Sequence, residues 1–438
     1  MKKNSLDGKT VVRFTLSFMQ GGGIEEYLAS LNTILLERNS MTIIQMSLQK
    51  EGQKTRETVQ EVGKGCLVRV LVPAVFDSRK NWNAFNGKGA SEQLWIRRFT
   101  RDHLVYKPIL CSTIFKKIRE KRKIANLGID AKDGAKIYDG LIKRFAPDLL
   151  LFHSLGSEQT ALMADISSQK DVPYVYVNHY ANSKFTHFCI REQIANACAV
   201  AGVSSNQVPR YVRRRFFNLL DGIDVNFFRC SQITDLETLV GSRQIVLLPA
   251  RVAPGKGHVD LIHAAARLKV QGVDCNLVFA GRKDSPQLAA YLKKLSQEKG
   301  VLNSVELVGH CSPEELREWY AKCSVVVLPS STEGLGRVLL EAQAMSRPVV
   351  AYNVGGVSQC MQHNVSGYLC RRGDIRQLAT YLETLLSDKG LRAQMGSKGK
   401  AFVRKKFTLS HLAIRHEEFY SGAIESKTGG AVEPFPRE

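Results

Sequence analysis

The residues best suited to chemistry lie in residues 329–352, PSSTEGLGRVLLEAQAMSRPVVAY, where an apolar run ends in a small-residue loop. The loop holds Glu333, Gly334 and Gly336, and the helix predicted after it carries Glu341. Helix N-termini attract phosphate because free N–H groups point outward there, and glycines let a ligand approach the backbone. The two carboxylates could accept hydrogen bonds from the hydroxyl pairs of a sugar or a ribose. A helix-capping acid and a solvated glutamate would explain each residue alone, but the combined Glu-Gly-x-Gly-x4-Glu pattern is more specific.

A second stretch, residues 247–268, places two cations at a predicted strand-to-helix turn. Arg251 follows the strand, and Lys256 stands between two glycines five residues later. The GxxxxGK[ST] pattern of a P-loop is absent from the segment. An Arg fork and a Lys point charge still suit a diphosphate. Two exposed basic residues in a loop would explain either residue taken alone.

A third stretch, residues 19–26, places a glycine run after the first predicted strand. It resembles a dinucleotide-binding turn, but Glu26 stands where the third glycine of GxGxxG should be. No acidic residue ends the second predicted strand at Met46 either. The run is therefore equally compatible with a plain tight turn.

Short apolar runs alternate with helical patterns along most of the chain, which is typical of parallel sheets with helices on both faces. Two such series indicate an α/β protein with two doubly wound domains, divided near the turn-rich residues 221–224. Strands of the first series are predicted at 11–17, 42–46, 67–73, 149–153, 174–178 and 199–204. Those of the second are predicted at 245–249, 276–280, 304–308, 325–329 and 348–352, with helices at 260–270 and 313–323.

Composition and charge narrow the class of protein. The 438 residues are 44% apolar and 24% charged, which is ordinary for globular proteins, yet the formal net charge is +21. Such an excess indicates a polyanionic partner: nucleic acid, an anionic membrane or a phosphate-bearing substrate. The apolar runs are strand-sized, and residues 1–14 lack the apolar core of a secretory signal. The ten cysteines form no CxxC pair, so we expect free thiols and a cytoplasmic location.

Residues 75–125 depart from the α/β pattern. They hold thirteen Lys or Arg against four Asp or Glu, with Trp82, Phe85, Trp95, Phe99 and Tyr106 among the charges. Basic segments that carry aromatic side chains lie on anionic lipid surfaces. A solvated lid with a few core aromatics explains the same composition, and both interpretations stay open.

The order and spacing of these motifs resemble the donor half of glycosyltransferase family 4, whose members are retaining enzymes of the GT-B architecture. The motifs that carry the resemblance are Arg251 with Lys256, the Glu333 to Glu341 pattern, and Gly355-Gly356. Four further segments also match the family: residues 22–25, 173–179, 203–205 and 221–224. The resemblance as a whole extends over most of residues 10–420, but residues 75–125 are not covered. The resemblance implies a GT-B fold: two Rossmann-like domains face each other across a cleft, and a C-terminal helix returns to the first.

The resemblance also implies residue roles at the donor site. Arg251 and Lys256 would hold the diphosphate of a nucleotide-sugar and stabilise the charge that develops on it. Glu333 would bind hydroxyls of the transferred sugar, Glu341 would accept from the ribose hydroxyls, and the backbone amides of Gly334, Leu335 and Gly336 would lie nearby.

In the first domain, the resemblance places His179 beside the reacting face of the sugar, with His153 as second choice. Gly22 and Gly23 would let this domain close on the phosphates. No DxD motif occurs in the chain, so we expect no metal and no other cofactor. Family members often have Glu where this chain has Gln359, which puts an acidic role there in doubt.

The resemblance and the charge together predict a domain plan and a function. We expect an acceptor-binding domain at 1–224, a nucleotide-sugar-binding domain at 225–405, a crossing-back helix at 406–425 and a tail at 426–438. The predicted activity transfers sugar from a UDP-, GDP- or ADP-sugar to a glycan or lipid-linked acceptor in bacterial cell-envelope polysaccharide or lipopolysaccharide synthesis. The enzyme would lie peripherally on the cytoplasmic face of the membrane. A nucleotide-sugar 2-epimerase-like GT-B enzyme is the alternative, and no nucleic-acid-binding module is recognisable.

Overall fold

The computed structural model describes residues 5–15, 23–48, 56–72, 131–153, 158–178, 191–202, 216–229 and 244–426. The described residues form two sheets with helices packed on them. The basic, aromatic residues 75–125 and most of the predicted tail at 426–438 lie outside the described residues.

The first sheet has eight strands in the order β3-β4-β2-β1-β5-β6-β7-β8. Their pairing is parallel except between β3 and β4. Strands β5 to β7 are buried along their whole length, as expected for strands covered on both faces. The strands are β1 (Thr10–Thr15), β2 (Thr42–Leu48), β3 (Arg56–Val62), β4 (Gly65–Val72), β5 (Leu149–Phe152), β6 (Tyr174–Asn178), β7 (Ala199–Gly202) and β8 (Phe216–Asn218).

Helices cover both faces of this sheet because its side chains alternate between two cores. Val12 and Phe14 belong to the core on one face, whereas Val11 belongs to the core on the other. The helices of this half are α1 (Gly23–Arg38), α2 (Ala131–Phe145), α3 (Glu158–Gln169) and α4 (Arg191–Asn196).

The second sheet has six strands, all parallel, in the order β11-β10-β9-β12-β13-β14. They are β9 (Gln244–Pro249), β10 (Cys275–Ala280), β11 (Val305–Gly309), β12 (Val325–Leu328), β13 (Val349–Tyr352) and β14 (Gly367–Cys370). The helices around them are α5 (His258–Val270), α6 (Pro286–Glu298), α7 (Pro313–Lys322), α8 (Arg337–Ala344), α9 (Val357–Cys360), α10 (Ile375–Ser387) and α11 (Lys389–Lys406), with a 3₁₀ turn at Leu302–Ser304.

The last helix, α12 (Leu409–Glu425), returns to the first sheet. Its buried Leu412 and Phe419 share a core with Val11 of β1. A backbone hydrogen bond from Ile223 N to Phe407 O (2.8 Å) ties the segment after β8 to the chain just before α12. The predicted return of the C-terminal helix is therefore confirmed.

The two doubly wound sheets predicted from the sequence are confirmed, with most strand ends displaced by one or two residues. Strand β3 was not predicted, and it pairs antiparallel with β4 at the edge of an otherwise parallel sheet. Strand β3 reads RETVQEV, and the mostly polar, solvent-facing side chains of residues 57–62 hide the strand pattern. Strand β8, with three residues, and strand β14, which starts at Gly367, were also missed. Among the described helices, none combines the length and the apolar character that crossing a membrane requires.

Candidate functional site

Both charged motifs of the second domain lie at one edge of its sheet. Residues 250–257 follow β9, and residues 329–336 follow β12. These two strands are neighbours, and the strand order reverses between them: the chain runs outward to β10 and β11 on one side and to β13 and β14 on the other. Doubly wound sheets bind ligands in the crevice at the carboxyl ends of strands at such a switch point. The topology thus brings the two motifs to the position where a ligand is expected.

Backbone contacts hold the two loops together. Ser331 N donates to Gly255 O at 2.8 Å. Gly257 has φ +82°, and a Cβ at this position would lie 2.1 Å from Pro329 O, so glycine alone lets the β9 loop pass this close to the end of β12. The side chains carried by the loops are therefore held in a fixed relation.

Lys256 and Glu333 meet between these loops. Lys256 Nζ donates to Glu333 Oε1 at 2.6 Å, and the side chains are 24% and 14% exposed. Because Gly336 is the N-cap of α8, Glu333 is not the helix-capping acid that the sequence left open. The predicted diphosphate cation and the predicted sugar-binding carboxylate therefore lie in direct contact.

Arg251 is the more exposed cation of the site. Its Nη1 donates to Asp284 Oδ2 at 2.5 Å, and Asp284 also accepts from Arg282 Nε at 2.6 Å. Burial acts to raise the pKa of Asp284, but the guanidinium groups of Arg282 and Arg251 outweigh it and hold that pKa below its ordinary value. Asp284 follows β10, next to β9 in the sheet, so it lies at the same edge.

The glycines after β12 bring backbone close to the site. Gly336 has φ +97° at the start of α8, and no side chain in the described part of the chain caps that helix end. Gly334 O accepts from Gly356 N at 2.8 Å, and a Cβ on Gly355 would lie 1.9 Å from Glu333 O. The two glycine motifs therefore pack against each other behind Glu333. Leu335 is buried and belongs to the core of the second domain.

Glu341 is buried on α8 and is not the solvated glutamate that the sequence left open. Its Oε2 accepts from Tyr320 Oη at 2.8 Å, and its Oε1 accepts from Arg337 Nε at 3.1 Å. Burial raises the pKa of the Glu341 carboxyl, against the lowering effects of Arg337 and Tyr320. A carboxylate has about four lone-pair sites, so acceptor capacity remains beside these two contacts.

Arg337 also reaches the segment that joins the two sheets. Its Nη1 lies 3.3 Å and 3.5 Å from the two carboxylate oxygens of Asp221. The sequence predictions gave no role to Arg337, Tyr320 or Asp284. Arg337 could have been found because it lies four residues before Glu341, on the same face of a helix. Tyr320 and Asp284 lie in other elements, and no local pattern brings them to the site.

The site residues predicted in the first domain are only partly described. Gly22 and His179 lie outside the described residues, and Gly23 is the first residue of α1. His153, the second choice, is buried just after β5, and its backbone N–H donates to Phe14 O at 3.0 Å. Gln359, where family members often have Glu, accepts from Asn218 Nδ2 at 2.9 Å at the end of β8.

Solved structures similar to this chain define its fold class. The Anabaena protein HepE, crystallised in complex with UDP, superposes with a TM-score of 0.66 over 94% of this chain and 99% of that chain, at 19% identity. Two doubly wound domains and a final helix that returns to the first make this chain a GT-B protein.

Sequence comparisons relate part of this chain to known glycosyltransferases. Residues 236–402 match the family "Glycosyl transferases group 1". Alpha-D-kanosaminyltransferase of Streptomyces kanamyceticus is 36% identical over 168 residues, 38% of this chain and 43% of that protein. GDP-mannose-dependent alpha-(1-6)-phosphatidylinositol monomannoside mannosyltransferase of Mycobacterium tuberculosis is 30% identical over 238 residues, 49% of this chain and 60% of that protein. The matches span about half the length of these relatives, and the chain is a GT-B protein like those of glycosyltransferase family 4.

Proposed function

We propose that this chain is a retaining glycosyltransferase that moves a sugar from a nucleotide-sugar to a hydroxyl group of a glycan or lipid-linked acceptor. The observation that carries the proposal is the contact between Lys256 and Glu333 at the switch point of the second sheet. A cation for a phosphate and a carboxylate for sugar hydroxyls are the two groups that recognition of a sugar diphosphate needs, and here they are 2.6 Å apart.

The cations would act on the diphosphate. Arg251 and Lys256 both belong to the loop after β9, and the negative charge that grows on the leaving diphosphate is where fixed cations lower a barrier most. Lys256 would also hold Glu333 toward the transferred sugar through their ion pair. We propose that these two cations do the work of a metal ion, so that the reaction needs no metal and no other cofactor.

The remaining donor contacts follow from α8 and its preceding loop. Glu341 would accept from the ribose hydroxyls, and the amides of Gly334, Leu335 and Gly336 would face the sugar phosphate. In the first domain, Gly22 and Gly23 would close on the phosphates and His179 would lie at the reacting face of the sugar. Closure of the cleft would exclude water, so that transfer competes well with hydrolysis.

The acceptor is proposed from charge and from the relatives. One relative is named for a phosphatidylinositol monomannoside acceptor, a glycan carried on a lipid. The basic, aromatic residues 75–125 suit an anionic membrane surface. We therefore propose a lipid-linked or polysaccharide acceptor of the bacterial cell envelope, reached from the cytoplasmic face of the membrane.

A panel of UDP-, GDP- and ADP-sugars tests the donor. We expect one of them to raise the unfolding temperature and to release its nucleotide when a lipid-linked acceptor extracted from bacterial envelopes is added. The anomeric configuration of the product, read by NMR coupling constants, tests retention. Failure of every sugar nucleotide to bind would refute the proposal, and conversion of the donor to a 2-epimer without any acceptor would favour an epimerase.

A further inference from the structure

A buried carboxylate and a half-buried one share one guanidinium beside the proposed ribose site. Arg337 donates from Nε to Glu341 and from Nη1 to Asp221, and its side chain is 21% exposed. The Asp221 and Glu341 side chains are 14% and 9% exposed. Asp221 comes from the segment that joins the two sheets, whereas Glu341 and Arg337 are on α8. The three groups therefore link the joining segment to the donor helix.

The charges in this group do not balance. One guanidinium faces two carboxylates, and each carboxylate is destabilised in its ionised form by burial and stabilised by Arg337. Asp221 also raises the pKa of Glu341 through repulsion of like charges. Arg337 thus increases the ionised fraction of Glu341, whereas Asp221 decreases it.

We propose that Arg337 and Asp221 are positioning residues that set the charge and orientation of Glu341 for the donor ribose. The proposal rests on the proposed function, in which Glu341 accepts from the ribose hydroxyls. Arg337 and Tyr320 fix one side of the Glu341 carboxylate by hydrogen bonds of 3.1 Å and 2.8 Å. An ionised, oriented carboxylate accepts two hydroxyls, whereas a protonated one loses acceptor strength and gains a proton to place.

The other groups that face this cluster stay neutral at working pH. Tyr320 on α7 faces Glu341, Tyr27 on α1 faces Asp221 and Arg337, and Cys360 on α9 faces Asp221 and Glu333. Burial is the largest cause that raises the pKa of each of these three groups. The groups of this cluster whose charge changes with pH near neutrality are therefore the two carboxylates, whose pKa values burial raises.

The test measures ribose recognition separately from nucleotide binding as a whole. The probe is whichever of UDP, GDP and ADP the wild-type chain binds, and its 2′,3′-dideoxy analogue, titrated by calorimetry from about pH 5 to 8. The dissociation constant of the dideoxy analogue divided by that of the parent nucleotide reports the hydroxyl contacts, because the phosphates and the base are the same in both ligands.

Opposite shifts are expected from the two substitutions. Arg337→Met removes the one cation that pairs with Glu341 among the described residues, so the ratio should fall by about tenfold to a hundredfold near neutral pH, with its midpoint moved to higher pH. Asp221→Asn removes the competing negative charge, so the midpoint should move to lower pH. Arg337→Lys keeps the charge without the fork and should lie between wild type and Arg337→Met. It also serves if Arg337→Met does not fold.

Arg347→Met is the matched control. Arg347 lies between α8 and β13 and donates to Ala321 O at 2.7 Å, so its loss disturbs the same domain without touching Glu341. It should leave the ratio and its midpoint unchanged.

The outcomes separate the two proposals. If the wild-type chain binds none of the three nucleotides, the proposed function and the inference are both refuted. Equal affinity of wild type for both ligands would refute the ribose role of Glu341. The third outcome is that the wild-type chain clearly prefers the ribose form, but Arg337→Met and Asp221→Asn leave the pH midpoint of the ratio unchanged or move it in the same direction. This result would overturn the inference while the proposed function stands.

Discussion

The contact at Gly257 gives a sharp test of how the two site loops are held. Alanine at this position would place its Cβ 2.1 Å from Pro329 O, where real Cβ contacts stay beyond 3.0 Å. The β9 loop, which carries Lys256, would have to move away from the end of β12 by about 1 Å. We therefore expect Gly257→Ala to separate Lys256 from Glu333 without removing either side chain.

Gly272 supplies the control because it isolates the backbone cost. It lies just beyond the other end of α5 with φ +80°, nearly the φ of Gly257, and a Cβ there would meet nothing within 4 Å. Gly272→Ala should destabilise the fold by about 1–2 kcal/mol, the cost of a left-handed alanine. Gly257→Ala should cost that amount plus about 1–3 kcal/mol for the overpacked contact.

The activity of the two variants should differ far more than their stability. A misplacement of about 1 Å can cost about a hundredfold in rate, so kcat for sugar transfer should fall by about that factor in Gly257→Ala and stay near wild type in Gly272→Ala. Urea unfolding and steady-state kinetics measure the two quantities. Wild-type transfer by a folded Gly257→Ala variant would refute the idea that the close approach of the loops positions the cation.

Three further predictions concern single side chains. Lys256→Ala should lower kcat by about a hundredfold to a thousandfold. The control Lys269→Ala, which removes a lysine hydrogen-bonded to Gly300 O, should leave kcat unchanged. Equal single-turnover rates for these two variants would contradict the diphosphate role of Lys256. Glu341→Gln should weaken nucleotide binding by about tenfold, and unchanged affinity in a titration would count against the ribose contact. Burial lowers the pKa of His258 from 6.5 to about 4, so the folded chain leaves this ring neutral where the unfolded chain takes up a proton. This ring should therefore lower stability by up to about 3 kcal/mol as pH drops from about 6.5 to 4, and His258→Phe should remove that share of the pH dependence in urea titrations at each pH.

The sequence pointed to the residues of the proposed donor site more directly than to the residues that contact them. Arg251, Lys256 and Glu333 each follow a strongly apolar strand, so local patterns place them at strand ends. That β9 and β12 are neighbours is a long-range fact, which no local pattern contains. The contact between Lys256 and Glu333 therefore became visible only in the fold.

Partners of the predicted residues were harder to predict for the same reason. Tyr320 reaches Glu341 from 21 positions earlier in the chain, and Asp221 reaches Arg337 across 116 positions. Each partner also has an ordinary local explanation, since Tyr320 fits the apolar face of α7 and Asp221 fits a turn. Their role at the site is recognised only once the burial of the Glu341 carboxylate is known, because a buried carboxylate needs hydrogen-bond partners.

The two proposed diphosphate cations are held differently, and this difference bears on how a donor would bind. The Arg251 side chain is 55% exposed, and exposed ion pairs of this kind contribute about 0–1 kcal/mol, so a diphosphate can displace Asp284 at little cost. Arg282 remains to pair with Asp284 after such an exchange. Lys256 and Glu333 are both more buried, and separating them would leave a carboxylate poorly solvated. We therefore expect Arg251 to turn toward the phosphates when donor binds, while Lys256 stays against Glu333 and contacts the donor from that fixed position.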